Sequence, residues 1–170
     1  VFDTEMPHLE NITFVSSNTF DPSFAKVGDN LTLRFSVVSG ESIQTPTVLI
    51  ENQTRTANLS DGIWEVIYPV TASDNGSANY LIAFSDLAGN AGDNLTGPSA
   101  QQITFDNVEP NLTLVQISSN NVNNSYLAKS GDNISLIFES SEILDNQSVS
   151  VLIQESAANL ISENGTHWEF

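Results

Sequence analysis

The chain has no cysteine, so disulfides, zinc–thiolate sites and thiol nucleophiles are all excluded, while the compartment stays open. Positive charge is almost as scarce. Lys26, Arg34, Arg55 and Lys129 face 21 acidic residues, and the 170-residue chain carries a formal charge of −17. Such a surface repels phosphate backbones and anionic lipid, which excludes nucleic acid as a partner. Long apolar runs are missing too. Tyr80-Leu81-Ile82-Ala83-Phe84 is among the longest, against the roughly 20 residues a spanning helix needs, so no membrane insertion is expected in this segment. No signal-peptide pattern of basic, apolar and small residues opens the chain at Val1. No window carries a helical period. The only histidines, His8 and His167, stand at positions with no equivalent in the other copy and show no obvious catalytic partner by sequence, and the expectation is a protein that is not an enzyme.

What is present is a repeat. Residues 2–38 recur at 105–141: Phe2-Asp3 with Phe105-Asp106, Pro7 with Pro110, Leu9 with Leu112, Ala25-Lys26 with Ala128-Lys129. Gly28-Asp29-Asn30-Leu31 matches Gly131-Asp132-Asn133-Ile134, followed by Leu33 with Leu136 and Phe35 with Phe138. The spacing is about 103 residues, which is the size of a whole domain, so the chain is a tandem array. Val48-Leu49-Ile50 and Val151-Leu152-Ile153 keep the spacing, and Trp64-Glu65 with Trp168-Glu169 shift it by one. We expect residues 1–6 to be the tail of a preceding unit or a linker strand. Residues 7–106 are read as one complete unit, and residues 107–170 as a second unit lacking its last strands. Counterparts of Tyr80–Phe84 and Ile103–Phe105 are missing from the second copy, which leaves truncation of a longer array or completion by a strand from another molecule as readings.

Leu31, Leu33, Phe35 and Val37 alternate with Thr32, Arg34 and Ser36, the pattern of a half-buried strand. Similar runs lie at Leu9–Phe14 (with a phase slip near Asn11), Val48–Ile50, Ile63–Val70, Tyr80–Phe84 and Ile103–Phe105. Turn signals separate them at Gly28-Asp29-Asn30, Ser60-Asp61-Gly62 and Ser73-Asp74-Asn75-Gly76. The fold class expected is all-β, about seven short strands per unit arranged as tandem immunoglobulin-like β-sandwiches. Trp64 and Trp168 fall mid-strand and are read as core. Tyr80 is weakly similar to the tyrosine corner of such sandwiches. Phe24 and Leu127 are equivalent and are read as core.

The segments Ala25-Lys26-Val27-Gly28-Asp29-Asn30-Leu31 and Ser85-Asp86-Leu87-Ala88-Gly89-Asn90, with the junction Thr104-Phe105-Asp106 through Pro110, resemble bacterial immunoglobulin-like (Big-type) tandem repeats of surface adhesins and extracellular fibres. The resemblance covers both copies. It implies an extracellular or cell-surface, non-catalytic module and no particular ligand.

Eleven asparagines open Asn-X-Ser/Thr sequences: Asn11, Asn30, Asn52, Asn58, Asn75, Asn94, Asn111, Asn123, Asn133, Asn146 and Asn164. Chance would give roughly four. Asn and Thr sharing outward strand faces explains Asn30-Leu31-Thr32 but not the acceptors in loops. Only Asn30 and Asn133 are equivalent between copies, so the duplication does not explain the rest. N-linked glycans are therefore expected as covalent additions, and no cofactor is required.

Calcium is a second candidate, because hard oxygens cluster at Asp86, Asn90 and Asp93 and, at the junctions, Asp3, Asp106 and Glu109. The competing reading is that Asp, Asn and Gly simply build turns. Lys26 and Lys129 sit beside Gly-Asp turns and are read as solvent-facing.

Two functions fit. The first is a structural repeat of a fibre, stalk or filament, N-glycosylated, whose partners are neighbouring repeats or homopolymeric contacts; the Pro-bearing junction at Asp106–Pro110 limits bending. The second is an adhesin-type binding module that recognises a glycan or receptor through its loops, where Phe20, Phe24 and Tyr126 are the aromatic candidates.

Overall fold

Alternation becomes strand throughout: the computed structural model describes residues 3–38, 41–97 and 102–170, and no helix occurs among them. Val1 and Phe2, which begin the first repeat match and the 1–6 tail, lie outside the described residues. The protein is all-β and divides into two compact units, Val1–Asn107 and Val108–Phe170.

The first unit contains, among its described residues, β1 (Leu9–Ser16), β2 (Phe24–Ala25), β3 (Asn30–Val37), β4 (Thr47–Ile50), β5 (Gln53–Arg55), β6 (Asn58–Ser60), β7 (Ile63–Pro69), β8 (Gly76–Ser77), β9 (Tyr80–Ala83), β10 (Leu95–Gly97) and β11 (Thr104–Phe105). That exceeds the expected seven because β2, β5, β6 and β8 are two- and three-residue pieces, too short to leave an alternation signal. One antiparallel sheet runs β1-β3-β7-β6 and another β10-β9-β4-β5. A third, β2-β11-β8, pairs β11 parallel to β2 and antiparallel to β8.

The core follows from the pleat. Leu31, Leu33 and Phe35 of β3, Val66 and Tyr68 of β7, Val48 and Ile50 of β4, and Ile82 of β9 are fully buried in one cluster with Trp64 and Tyr80. Burying one such side chain contributes about 1.5–3 kcal/mol. The phase slip near Asn11 is a β-bulge between Glu10 and Thr13, with Asn11 at φ 54°. Glu51 and Asn52, both left-handed at φ 51° and 59°, form the two-residue turn that joins β4 to β5 with the twist a hairpin needs. Phe24 is 41 % and Leu127 62 % exposed, which corrects their reading as core. In β2 it is Ala25 that alternation turns inward, and it is fully buried.

The second unit contains β12 (Leu112–Ser119), β13 (Ile134–Ser140), β14 (Leu152–Ile153), β15 (Ser156–Ala157), β16 (Ser162–Glu163) and β17 (His167–Glu169). Its sheet runs β12-β13-β17-β16, and β14 pairs with β15. Strand pairing repeats as the sequence does. Phe35 faces Trp64 and Phe138 faces Trp168; Val15 faces Thr32 and Ser118 faces Ser135; Leu49 faces Thr54 and Leu152 faces Ala157. The core here is a stack of Phe138, Trp168 and Phe170, with ring centroids 5.9–6.4 Å apart. Ile117 is 54 % exposed, whereas its equivalent Phe14 is 8 %. The Tyr80 ring meets Phe14 edge-on at 5.1 Å, and residues 108–170 hold no counterpart of Tyr80.

Candidate functional site

All eleven acceptor asparagines are exposed. The contrast with the other eight is informative, because Asn18, Asn90 and Asn121 among those are half-buried. Acceptors occur on strands (Asn11 in β1, Asn30 opening β3, Asn58 opening β6), in the β4–β5 turn (Asn52), and beside strands (Asn75, Asn94, Asn111, Asn133, Asn164). Asn123 and Asn146 lie in the β12–β13 and β13–β14 connections. Three acceptor amides are engaged: Asn11 Nδ2 donates to Ser36 Oγ at 2.9 Å, Asn75 Nδ2 to the Ser73 carbonyl and Asn111 Nδ2 to the Glu109 carbonyl, both at 3.1 Å. The other eight side-chain amides donate no hydrogen bond among the described residues, and all eight residues are exposed.

The half-buried asparagines do the opposite work. Asn18 Nδ2 donates to Asp29 Oδ2 at 3.2 Å, and Asn18 Oδ1 accepts the backbone N–H groups of Phe20 and Asp21. Asp29 Oδ2 also accepts the Lys26 N–H at 2.9 Å. The second unit repeats this clasp: Asn121 Nδ2 donates to Asp132 Oδ2 at 3.0 Å, Asn121 Oδ1 accepts the N–H groups of Asn123 and Asn124, and the Lys129 N–H donates to Asp132 Oδ2 at 2.9 Å. Sequence reading missed Asn18 and Asn121. Their signal was the same spacing that matched the Gly-Asp turns.

Of the calcium candidates, the fold brings Asp86 and Asn90 together as one turn. Asp86, 3 % exposed, accepts the Gly89 N–H at 2.6 Å and the Asn90 N–H at 2.7 Å on Oδ1, and the Asn90 side chain at 2.8 Å on Oδ2. Burial alone would raise its pKa, but the donors of Asn90, Gly89 and Ala88 hold it below the ordinary aspartate value. Asn90 also donates to the Asp3 carbonyl at 3.1 Å. Asp93 and Glu109 are exposed and Asp106 is half-buried. Among the described residues, no three His, Asp or Glu groups gather as a metal-ion ligand set.

The tyrosine tied to a loop is Tyr68, not Tyr80. The buried Tyr68 hydroxyl donates to Asp74 Oδ1 at 2.7 Å, and Asp74 Oδ2 accepts the Thr71 N–H at 2.7 Å and Thr71 Oγ1 at 3.1 Å. Burial, then the bond to Asp74 and its charge, push the Tyr68 pKa up to about 12. The Arg55 guanidinium lies 4.6 Å from the Tyr68 ring centroid. Asn107 closes the unit, donating to the Asp74 carbonyl at 3.0 Å and accepting the Val27 N–H at 2.8 Å.

His167 has a carboxylate partner that the sequence did not reveal, Glu139 at 3.6 Å across β13 and β17. No serine or threonine hydroxyl bonds to either imidazole among the described residues. Lys26 and Lys129 are exposed. No helix of the described residues is long and apolar enough to cross a membrane. The chain matches no protein-family model, no curated protein and no solved structure.

Proposed function

We propose that the chain is a stretch of an extracellular fibre or stalk, built from tandem immunoglobulin-like sandwiches whose surface carries N-linked glycans and whose repeats set length and stiffness. The observation that carries this reading is the exposure of all eleven acceptor asparagines on a duplicated β-scaffold, when only Asn30 and Asn133 are inherited from the duplication. The sheet orders support the sandwich: β1-β3-β7-β6 corresponds to strands A-B-E-D of an immunoglobulin domain, and β10-β9-β4-β5 to G-F-C-C′. Residues that repeat make the scaffold, and residues that do not repeat make the surface. On this reading the protein is not an enzyme and its partners are further repeats.

Intact mass of protein from its own host tests the proposal. We expect a mass above that of the polypeptide the host encodes, with glycopeptides at the acceptor asparagines. A mass equal to the bare polypeptide defeats the glycan coat. A second reading, a loop-borne adhesin module, is favoured by Phe20 and Tyr126, which are 72 % and 90 % exposed. Binding to immobilised glycans or receptor ectodomains that Phe20→Ala or Tyr126→Ala abolishes would establish it.

A further inference from the structure

The acceptors are not spread evenly over the strands. Edge strands β1, β5, β6, β8 and β10 in the first unit, and β12 and β16 in the second, each contain an acceptor asparagine or have one as the adjoining residue: Asn11, Asn52, Asn58, Asn75, Asn94, Asn111 and Asn164. Interior strands β4, β7, β9, β11 and β17 have none. The two interior strands that do, β3 and β13, begin at or next to Asn30 and Asn133, the one pair the duplication accounts for. Only the edges of the two-residue strand β2 and of the β14–β15 hairpin lack one.

An exposed edge offers a row of unpaired N–H and C=O groups to any other strand, and proteins usually blunt it with lysine, proline, bulges or inward charges. Here those devices are unevenly supplied. Both lysines lie in turns, no proline interrupts an edge strand, and β6, β8, β10 and β12 contain no charged residue. β1 has its bulge and Glu10, β5 has Arg55, β12 has a register shift between Leu112 and Leu114, and β16 has Glu163. β12 is eight residues long with Leu112, Val115 and Ile117 more than half exposed.

We infer that glycans on the edge-strand asparagines serve as the edge blockers of this protein, filling the space through which a second copy would add a strand. The inference rests on the glycosylation proposed above. It assigns different duties to the acceptors: those at edges prevent association, whereas those at Asn30, Asn123, Asn133 and Asn146 do not.

The test uses the full chain secreted from a glycosylating host. Acceptors are removed at their hydroxyl residues, which leaves each asparagine and its backbone conformation in place. The edge set is Thr13→Ala, Thr54→Ala, Ser60→Ala, Ser77→Ala, Thr96→Ala, Thr113→Ala and Thr166→Ala. The control set is Thr32→Ala, Ser125→Ala, Ser135→Ala and Ser148→Ala. We expect sedimentation velocity to show at least tenfold tighter self-association for the edge set, with the control set matching the parent. In protein from a non-glycosylating host the two sets should associate alike, which separates loss of sugar from loss of a hydroxyl. An edge set that stays monomeric, or a control set that associates equally, overturns the inference. Glycopeptide mapping separates the two levels. Sugar confined to Asn30, Asn123, Asn133 and Asn146, with all seven edge asparagines bare, removes the edge role alone; no sugar anywhere removes the glycoprotein reading with it.

Discussion

Replacing Tyr68 by phenylalanine removes one oxygen from the buried clasp at Asp74, and its effect should depend on pH in a specific way. Near neutrality the variant loses a hydrogen bond to a carboxylate, and Gln53 Nε2, which donates to that hydroxyl at 3.3 Å, loses its acceptor. A bond of this kind is worth about 1.5–3 kcal/mol. Above pH 10 the wild type weakens. The Tyr68 pKa is about 12 when folded, against a reference of 10.0, so the unfolded chain ionises first and draws the equilibrium toward itself. The stabilisation is complete below pH 10 and is lost as pH rises toward 12, by about 3 kcal/mol for a shift of two units. Phenylalanine has nothing to ionise, so the two stability curves should converge between pH 10 and 12. Urea unfolding followed by Trp64 fluorescence, in a Trp168→Phe background, reads the first unit alone. A gap that stays constant from pH 8 to 11.5 would refute the titration argument. No gap at pH 8 would show that the hydroxyl does not hold Asp74.

The duplicated clasp predicts duplicate losses: Asn18→Ala and Asn121→Ala should each destabilise their own unit by about 1–3 kcal/mol, read as separate Trp64 and Trp168 transitions. Gly92→Ala would drive a Cβ into the Phe84 ring and to 2.9 Å from the Pro7 carbonyl oxygen, costing about 1–3 kcal/mol in thermal or urea unfolding. The Asp86 turn, whose carboxyl is held below its unfolded value of 3.8, contributes above that pH and is lost as pH falls through the folded value. Hydrogen exchange at Gly89 and Asn90 should therefore accelerate selectively on acidification, after correction for intrinsic rates. Because N–H donors already occupy both Asp86 oxygens, added calcium should leave the melting temperature unchanged.

Legibility followed the strength of the local pattern. The core faces of β3, β7 and β9 were plain because apolar residues at every second position have one physical interpretation, and even the bulge at Asn11 showed as a break of phase. The strands β5, β6 and β8 were illegible: Asn58-Leu59-Ser60 pairs because β7 lies beside it, not because its residues alternate. Phe24 reads as core because an apolar residue, Leu127, stands at the equivalent position; pairing with β11 determined which neighbour turned inward. The acceptor asparagines were visible as motifs, but their concentration at sheet edges required the strand order. Tyr80, which follows Asp74 and Gly76, reads as a weak tyrosine corner; Tyr68, equally six residues from Asp74 on the other side, makes the bond. The Glu139–His167 pair is a cross-strand neighbour relation, invisible before the register is known.

At one position in the clasp the two units differ in residue and agree in atom. The Asn30 N–H donates to Ser17 Oγ at 2.9 Å, and the Asn133 N–H donates to Asn120 Oδ1, also at 2.9 Å. What the module keeps there is an oxygen at a fixed point, and a hydroxyl or an amide supplies it equally well. Letter-by-letter comparison scores that exchange as a mismatch although the interaction is unchanged. A search for further copies would do better to describe each position by the atom it must present: an amide eleven residues ahead of a carboxylate, preceded by any side chain able to accept one hydrogen bond.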